Sequence, residues 1–247
     1  MSRTAVQPIG SAVLESTPVV QVLSLGKVID DRPILQDLSF EIARGRYVAL
    51  LGANGAGKST LLKVLATLIP PTHGQLLLFG RPLSRETTAF RSRLGMIGHG
   101  AMLYRDLSAL ENLVFFGRLY RVADPTARAR ELLEYVDLAR RADDPVKTFS
   151  RGMVQRVSIA RALMHEPDLL LADEPFAGLD APSRRMLEQM LQRLHEEGKT
   201  IILANHDIEQ SLALAEQALV LRAGRLIING MTAGLDPDAV LAEVSGS

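Results

Sequence analysis

The chain has 247 residues, 47% of them apolar and 23% charged, and its 28 basic and 28 acidic side chains cancel to a formal net charge of zero. That balance offers no electrostatic footprint for nucleic acid, and the absence of cysteine excludes disulfides and thiolate metal sites and fits a reducing compartment. The length suits one large domain or two small ones, with ample core.

Residues 1–17 carry neither a clustered basic region nor a sustained apolar run, so they read as a flexible tail rather than a signal peptide. Residues 18–247 read as the folded unit. Short apolar, β-rich runs recur at Val19–Leu23, Leu38–Ile42, Val48–Leu51, Leu76–Phe79, Leu169–Ala172, Thr200–Ala204 and Ala218–Leu221. Helical patterns fall between several of them, at Lys58–Thr67, Thr126–Leu138 and Pro182–Glu197. The alternation predicts an α/β fold with a mainly parallel sheet and crossover helices. The early runs, split by turn-like residues, predict an antiparallel β flank. Residues 95–166 are helix-rich and predict an inserted helical subdomain. Every apolar run is far too short to span a membrane, so any membrane connection requires a partner.

Gly52-Ala53-Asn54-Gly55-Ala56-Gly57-Lys58-Ser59-Thr60 follows the strand run Tyr47–Leu51 and opens a helix, which fits G-x-x-x-x-G-K-[ST]. Glycines let backbone amides converge on phosphate oxygens in shapes that a Cβ would obstruct. Phosphate contacts are therefore expected at Gly52, Asn54, Gly55, Gly57, Lys58, Ser59 and Thr60. Lys58 supplies a point charge, and Ser59 a hydroxyl for magnesium. Asp173 and Glu174 close the buried-strand run Leu169–Ala172. Asp173, at the strand end, is expected to reach the magnesium through its water shell, and Glu174 to polarise the attacking water as a general base. The bland reading, a strand ending in a solvated acidic turn, loses ground once the loop is granted. Ala177-Gly178-Leu179-Asp180 then reads as a tight turn before a helix opened by Pro182.

Ser150-Arg151-Gly152-Met153 lies between the loop and the two acids. Ser150 is a good N-cap for the amphipathic run that follows, and a helix N-terminus with a hydroxyl and an unhindered Gly152 backbone can accept a phosphate. A chain with two phosphate-reading elements is not expected to need both for one nucleotide. His206, after the strand Thr200–Ala204, is placed to hydrogen-bond a γ-phosphate and fix the water geometry. His99 follows a strand-like run as well; His73, His165 and His195 read as structural or exposed.

With these motifs in this order, about residues 19–230 resemble an ABC-transporter ATP-binding subunit, whose core is of the P-loop NTPase type. By that resemblance Ser150 to Met153 match the LSGGQ signature, Ala177 to Asp180 the D-loop and His206 the switch histidine. The resemblance implies ATP and Mg2+ as ligands, a transmembrane permease subunit as partner, and a second copy in a head-to-tail dimer. Ser150 and Gly152 would then cap the nucleotide of the other copy. It places the chain on the cytoplasmic face of the membrane, held there by the permease, with no nucleic-acid role.

The chain departs from that pattern in places. Arg151 and Met153 replace a signature glycine and glutamine, and His99 stands at the Q-loop glutamine. Val28 or Ile29 occupies the region of the aromatic that stacks on adenine, a contact worth roughly 1–3 kcal/mol for nucleic-acid bases. The histidine and the SRGM signature are similar to the CcmA-type haem-exporter subunits of cytochrome c maturation. Exporters of drugs, polysaccharides or lipids are the alternative, followed by a soluble non-transport ATPase. Leu110, Leu113, Val114, Phe115 and Phe116 read either as an apolar docking face for a permease helix or as core.

Overall fold

A computed structural model describes residues 17–83, 87–98 and 100–245. The tail assigned to residues 1–17 lies outside the described residues except for Thr17, and His99 lies outside them as well.

The chain opens with a hairpin, β1 (Val20–Ile29) and β2 (Arg32–Ile42), then enters β3 (Tyr47–Gly52) and α1 (Lys58–Leu65). Next come β4 (His73–Leu78), β5 (Arg81–Pro82), the single turn α2 (Thr88–Arg91) and β6 (Leu94–Ile97). Three helices follow: α3 (Ala109–Leu119), α4 (Pro125–Tyr135) and α5 (Arg151–Leu163). The remainder is β7 (Leu169–Asp173), α6 (Ala181–Glu196), β8 (Thr200–Ala204), α7 (Ile208–Leu214), β9 (Gln217–Arg222), β10 (Arg225–Met231) and α8 (Pro237–Ser245).

Two sheets result. An antiparallel sheet of four strands has the order β2-β1-β4-β5, and a six-stranded sheet has the order β10-β9-β3-β8-β7-β6. In the larger sheet only the edge pair β10–β9 is antiparallel. Its central strands β3, β8 and β7 are buried along their whole length because both faces are covered. The period-2 alternation of side chains splits them between two cores. Ala49, Leu51, Leu170, Ala172, Ile201 and Leu203 pack with Leu113, Leu133, Val157 and Leu191 from the helices. Val48, Leu50, Leu169, Leu171, Ile202 and Ala204 face the other way, onto Leu61, Leu62 and Leu65 of α1 and the antiparallel sheet.

Several boundaries differ from the sequence reading. β1 and β2 extend well beyond the expected runs, because register shifts after Val22 and Leu25 break the apolar alternation. The hairpin turns at Asp30 and Asp31, with φ of 47° and 58°. α1 stops at Leu65 rather than Thr67, which sits in the left-handed region at φ 59°. The stretch expected to be helical from residue 95 begins inside β6, which pairs parallel with β7 as an edge of the main sheet. The helical portion starts at α3, whose N-terminus Ser108 closes with a capping box to Glu111.

Asn112 ties this helix to the segment entering it. Its Oδ1 accepts from the Tyr104 amide at 2.8 Å, and its Nδ2 donates to the carbonyls of Tyr104 and Ser108, each at 2.9 Å. The side chain is fully buried, so truncation strands several backbone groups at once. Asn112→Ala is expected to destabilise the fold by about 2–4 kcal/mol, read as a lower urea midpoint at unchanged slope. A midpoint equal to wild type would show that this side chain does not hold the turn.

Candidate functional site

The chemistry-bearing residues collect at the carboxyl ends of β3, β7 and β8, where parallel α/β sheets place ligands. The register makes this unavoidable: Ala204 of β8 pairs with Leu50 of β3 on one side and with Asp173 of β7 on the other. Whatever follows these strands emerges along one edge.

After β3 the chain turns through Gly52 at φ 151°, where a Cβ would fall 2.4 Å from the Leu221 carbonyl oxygen. Gly57 sits at φ 105°, and a Cβ there would meet Leu35 Cδ2 at 2.8 Å. Both glycines are therefore required by packing against β2 and β9 as well as by backbone shape. Within the loop Lys58 folds back, its Nζ donating to the carbonyls of Gly52 at 2.7 Å and Ala53 at 3.1 Å. Burial pulls the Lys58 pKa below its ordinary value, against the opposing pull of the Glu174 and Asp173 carboxylates. Ser59 Oγ donates to Asp173 Oδ1 at 3.0 Å, and Asp173 is buried.

Glu174 leaves the strand at φ 48° with its amide on the Ala204 carbonyl at 2.9 Å. It lines a cavity of about 340 Å³ together with Asn54, Lys58, Ser59 and Thr60. Loop, lysine, hydroxyl and both acids thus form one site. Ser59 and Asp173 present two hard oxygen donors side by side, a set that suits Mg2+. Among the described residues there is no cluster of three His, Asp or Glu, so such an ion would complete its shell with phosphate oxygens and water. A larger groove of about 820 Å³, lined by Thr67, Leu68, Pro70, Leu83 and Arg91 among others, contains none of these residues.

His206 follows β8 and is exposed, with its amide bonded to Asn205 Oδ1 at 2.9 Å. Ser150 and Gly152 lie elsewhere and do not line the loop cavity. Ser150 caps α5 by accepting from the Met153 amide at 3.3 Å, which leaves its hydroxyl proton free to donate. Gly152 also packs closely: a Cβ would lie 2.4 Å from Ser183 Oγ at the start of α6, and the hydroxyl would have to turn away. The Arg151 guanidinium covers Gly178, where a Cβ would lie 2.3 Å from Arg151 Nη1. Asp180 caps α6 by accepting from the Ser183 amide at 3.0 Å. The N-termini of α5 and α6 and the turn between β7 and α6 form one contiguous surface.

The apolar set on α3 divides. Leu113 is core, Leu110 and Val114 are half-buried against it, and Phe115 is exposed. Phe115 packs edge-to-face on Tyr104 at 5.1 Å and on Phe116 at 5.3 Å. Met102, Tyr104 and Leu119 are exposed as well, and the sequence reading did not single them out. It also missed Ile34, which lines the loop cavity from β2; its place there depends on the fold of the hairpin over the loop, which leaves no local signal. Val28 and Ile29, at the end of β1, are both partly exposed.

A family profile described as "ABC transporter" matches residues 35–177. The linearmycin resistance ATP-binding protein of Bacillus subtilis is 36% identical over 86% of this chain and 69% of its own length. A Nod factor export ATP-binding protein I of Cupriavidus metallidurans is 38% identical over 87% and 71%. Among solved structures, cbiO1 of Clostridium perfringens, part of the ABC transporter complex cbiONQ, superposes with a TM-score of 0.80 at 29% identity, covering 92% of this chain and 91% of that one. The ATP-binding cassette MJ0796, a dimer in a post-hydrolysis state with ADP and Pi, gives 0.79 at 28% identity, covering 87% and 100%. With this likeness and with the loop, Ser59, Asp173 and Glu174 gathered at one sheet edge, the chain belongs to the ABC transporter family as an ATP-hydrolysing, ATP-binding subunit.

Proposed function

We propose that this subunit powers export across a membrane through a separate permease, working as a head-to-tail pair of identical copies. The observation that carries the catalytic half is the 3.0 Å bond from Ser59 to Asp173 beside Lys58 and Glu174 in one cavity. Gly52, Asn54, Gly55, Gly57 and Thr60 cradle the phosphates of ATP with backbone amides and a hydroxyl, and Lys58 exchanges its loop carbonyls for phosphate oxygens. Ser59 and Asp173 would hold Mg2+, which when bound neutralises charge on the phosphates. Glu174 takes the proton of the attacking water, and His206 fixes the geometry of that water against the γ-phosphate. His99 contributes from the segment after β6.

The pairing of copies is supported by the separation of Ser150 and Gly152 from the chain's own loop cavity. A second phosphate-reading helix start then serves the other copy's nucleotide. Among the described residues no helix is long and apolar enough to cross a membrane, so attachment at the cytoplasmic face falls to the permease. Exposed Met102, Tyr104, Phe115 and Leu119 offer an apolar surface for one of its helices.

The finer reading of the cargo, haem for cytochrome c maturation, rests on His99 and Ser150-Arg151-Gly152-Met153. The relatives named for Nod factor export and linearmycin resistance favour a second reading, export of another bulky molecule. Inside-out vesicles holding the subunit and its permease separate them: ATP-dependent uptake of haem, but not of linearmycin, supports the first, and the reverse supports the second.

Glu174→Gln is expected to bind ATP, to hydrolyse it about 10²–10⁴-fold more slowly, and to accumulate as a closed dimer in gel filtration; normal turnover removes the base role. Lys58→Ala is expected to weaken ATP binding by about tenfold to a hundredfold in calorimetry, the loss of a charge-assisted contact. Ser150→Arg is expected to leave nucleotide binding to the single copy intact and to abolish ATP-dependent pairing. If the pair still forms, the cross-subunit assignment is wrong.

A further inference from the structure

The loop carrying His206 is held by side chains that reach it from α6, the helix that follows the 177–180 turn. Asn205 is buried, 1% exposed, and works in both directions. Its Oδ1 accepts from the amides of His206 at 2.9 Å and Asp207 at 3.4 Å, and its Nδ2 donates to Gln210 Oε1 at 3.1 Å. Gln210 Nε2 in turn donates to Glu188 Oε1 on α6. A second tie runs in parallel: Arg184, one turn before Glu188, pairs with Asp207 Oδ2 at 3.6 Å, while Asp207 Oδ1 caps α7 through the Gln210 amide at 3.1 Å. His206 itself remains exposed. The backbone that carries its ring is held by Asn205.

We infer that Asn205, Gln210 and Glu188 are positioning residues for His206, a relay that fixes the histidine's main chain and ties it to the helix opened by Ala177–Asp180. This inference rests on the reading of His206 as the residue that orients the attacking water. Each link is directional. The Asn205 amide group must present oxygen to the loop and nitrogen to Gln210, and Gln210 must present nitrogen to Glu188. A chain of hydrogen bonds so ordered holds one geometry, because flipping the Asn205 amide breaks three bonds and flipping the Gln210 amide breaks two. Misplacing a catalytic group by about 1 Å costs up to roughly a hundredfold in rate with little effect on ground-state binding. The relay therefore acts on turnover and leaves ATP affinity alone, since none of its members lines the loop cavity.

The test compares steady-state ATP hydrolysis by the full chain with four sets of changes: His206→Ala, Asn205→Ala, Glu188→Gln, and Asn205→Ala combined with His206→Ala. Glu188→Gln is half-exposed and nearly isosteric, so it guards against misfolding in the buried Asn205 variant. Asn205→Ala is expected to lower kcat by about tenfold to a hundredfold with KM within about twofold, and Glu188→Gln to lower it by a smaller factor in the same way. The double variant is expected to be no slower than His206→Ala alone, because groups acting through one another are not additive. If His206→Ala lowers kcat while Asn205→Ala and Glu188→Gln both turn over at the wild-type rate, the relay is overturned and the histidine's role stands. If the double variant is slower than His206→Ala by the full Asn205→Ala factor, Asn205 acts independently and the relay is overturned. If His206→Ala itself hydrolyses normally, the underlying reading of the histidine fails, and the relay with it.

Discussion

The covering of the six-stranded sheet on both faces is the constraint from which the other features follow. Once Ala49, Leu51, Leu170 and Leu203 are committed to one core and Val48, Leu50, Leu171 and Ile202 to the other, no strand can slip by a residue without reversing every side chain. Each fully buried leucine, isoleucine or valine among these is worth about 1.5–3 kcal/mol relative to exposure, so a slipped register is out of reach. A locked register means locked strand ends. The loop after β3, the acids at the end of β7 and Asn205 after β8 then reach the same edge, where the Ser59–Asp173 bond joins the first two.

The phosphate loop shows how such a placement is maintained under load. Its glycines fit against Leu221 of β9 and Leu35 of β2, and the Gly224 amide donates to the Ala56 carbonyl at 3.1 Å. β2 of the antiparallel sheet and the β9–β10 hairpin of the larger sheet thereby support the loop from behind, while α1 leaves it with Leu61, Leu62 and Leu65 in the core. A loop held this way can direct several amides at an anion with little reorganisation, which is the condition for strong electrostatic stabilisation in a low-dielectric site.

Much of this was legible along the chain because the signals are local. Gly52 to Thr60 between an apolar run and a helix, Leu169–Ala172 ending in two acids, and Ser150 ahead of an amphipathic run each carry their meaning within about a dozen residues. The antiparallel flank was also legible, although β1 and β2 were foreshortened, because bulges hide the alternation on which strand reading depends. What stayed hidden depends on distant partners. Ile34 lines the site only because the hairpin folds over the loop, and Asn205 matters only because Gln210 and Glu188 come to meet it. Leu113 reads like its neighbours on α3 yet belongs to the core, a distinction that the helix periodicity makes only once the packed face is known.

The Arg151 guanidinium lying over Gly178 has a mechanical consequence. A glycine at 178 is favoured by its φ of 69°, and the atoms nearest to an added Cβ belong to the far end of the arginine, which can swing aside. The backbone conformation, and not the arginine, therefore restricts position 178. The arginine acts as a movable cover: it shields the turn before α6 from one side and can lift away without any change in that turn's backbone.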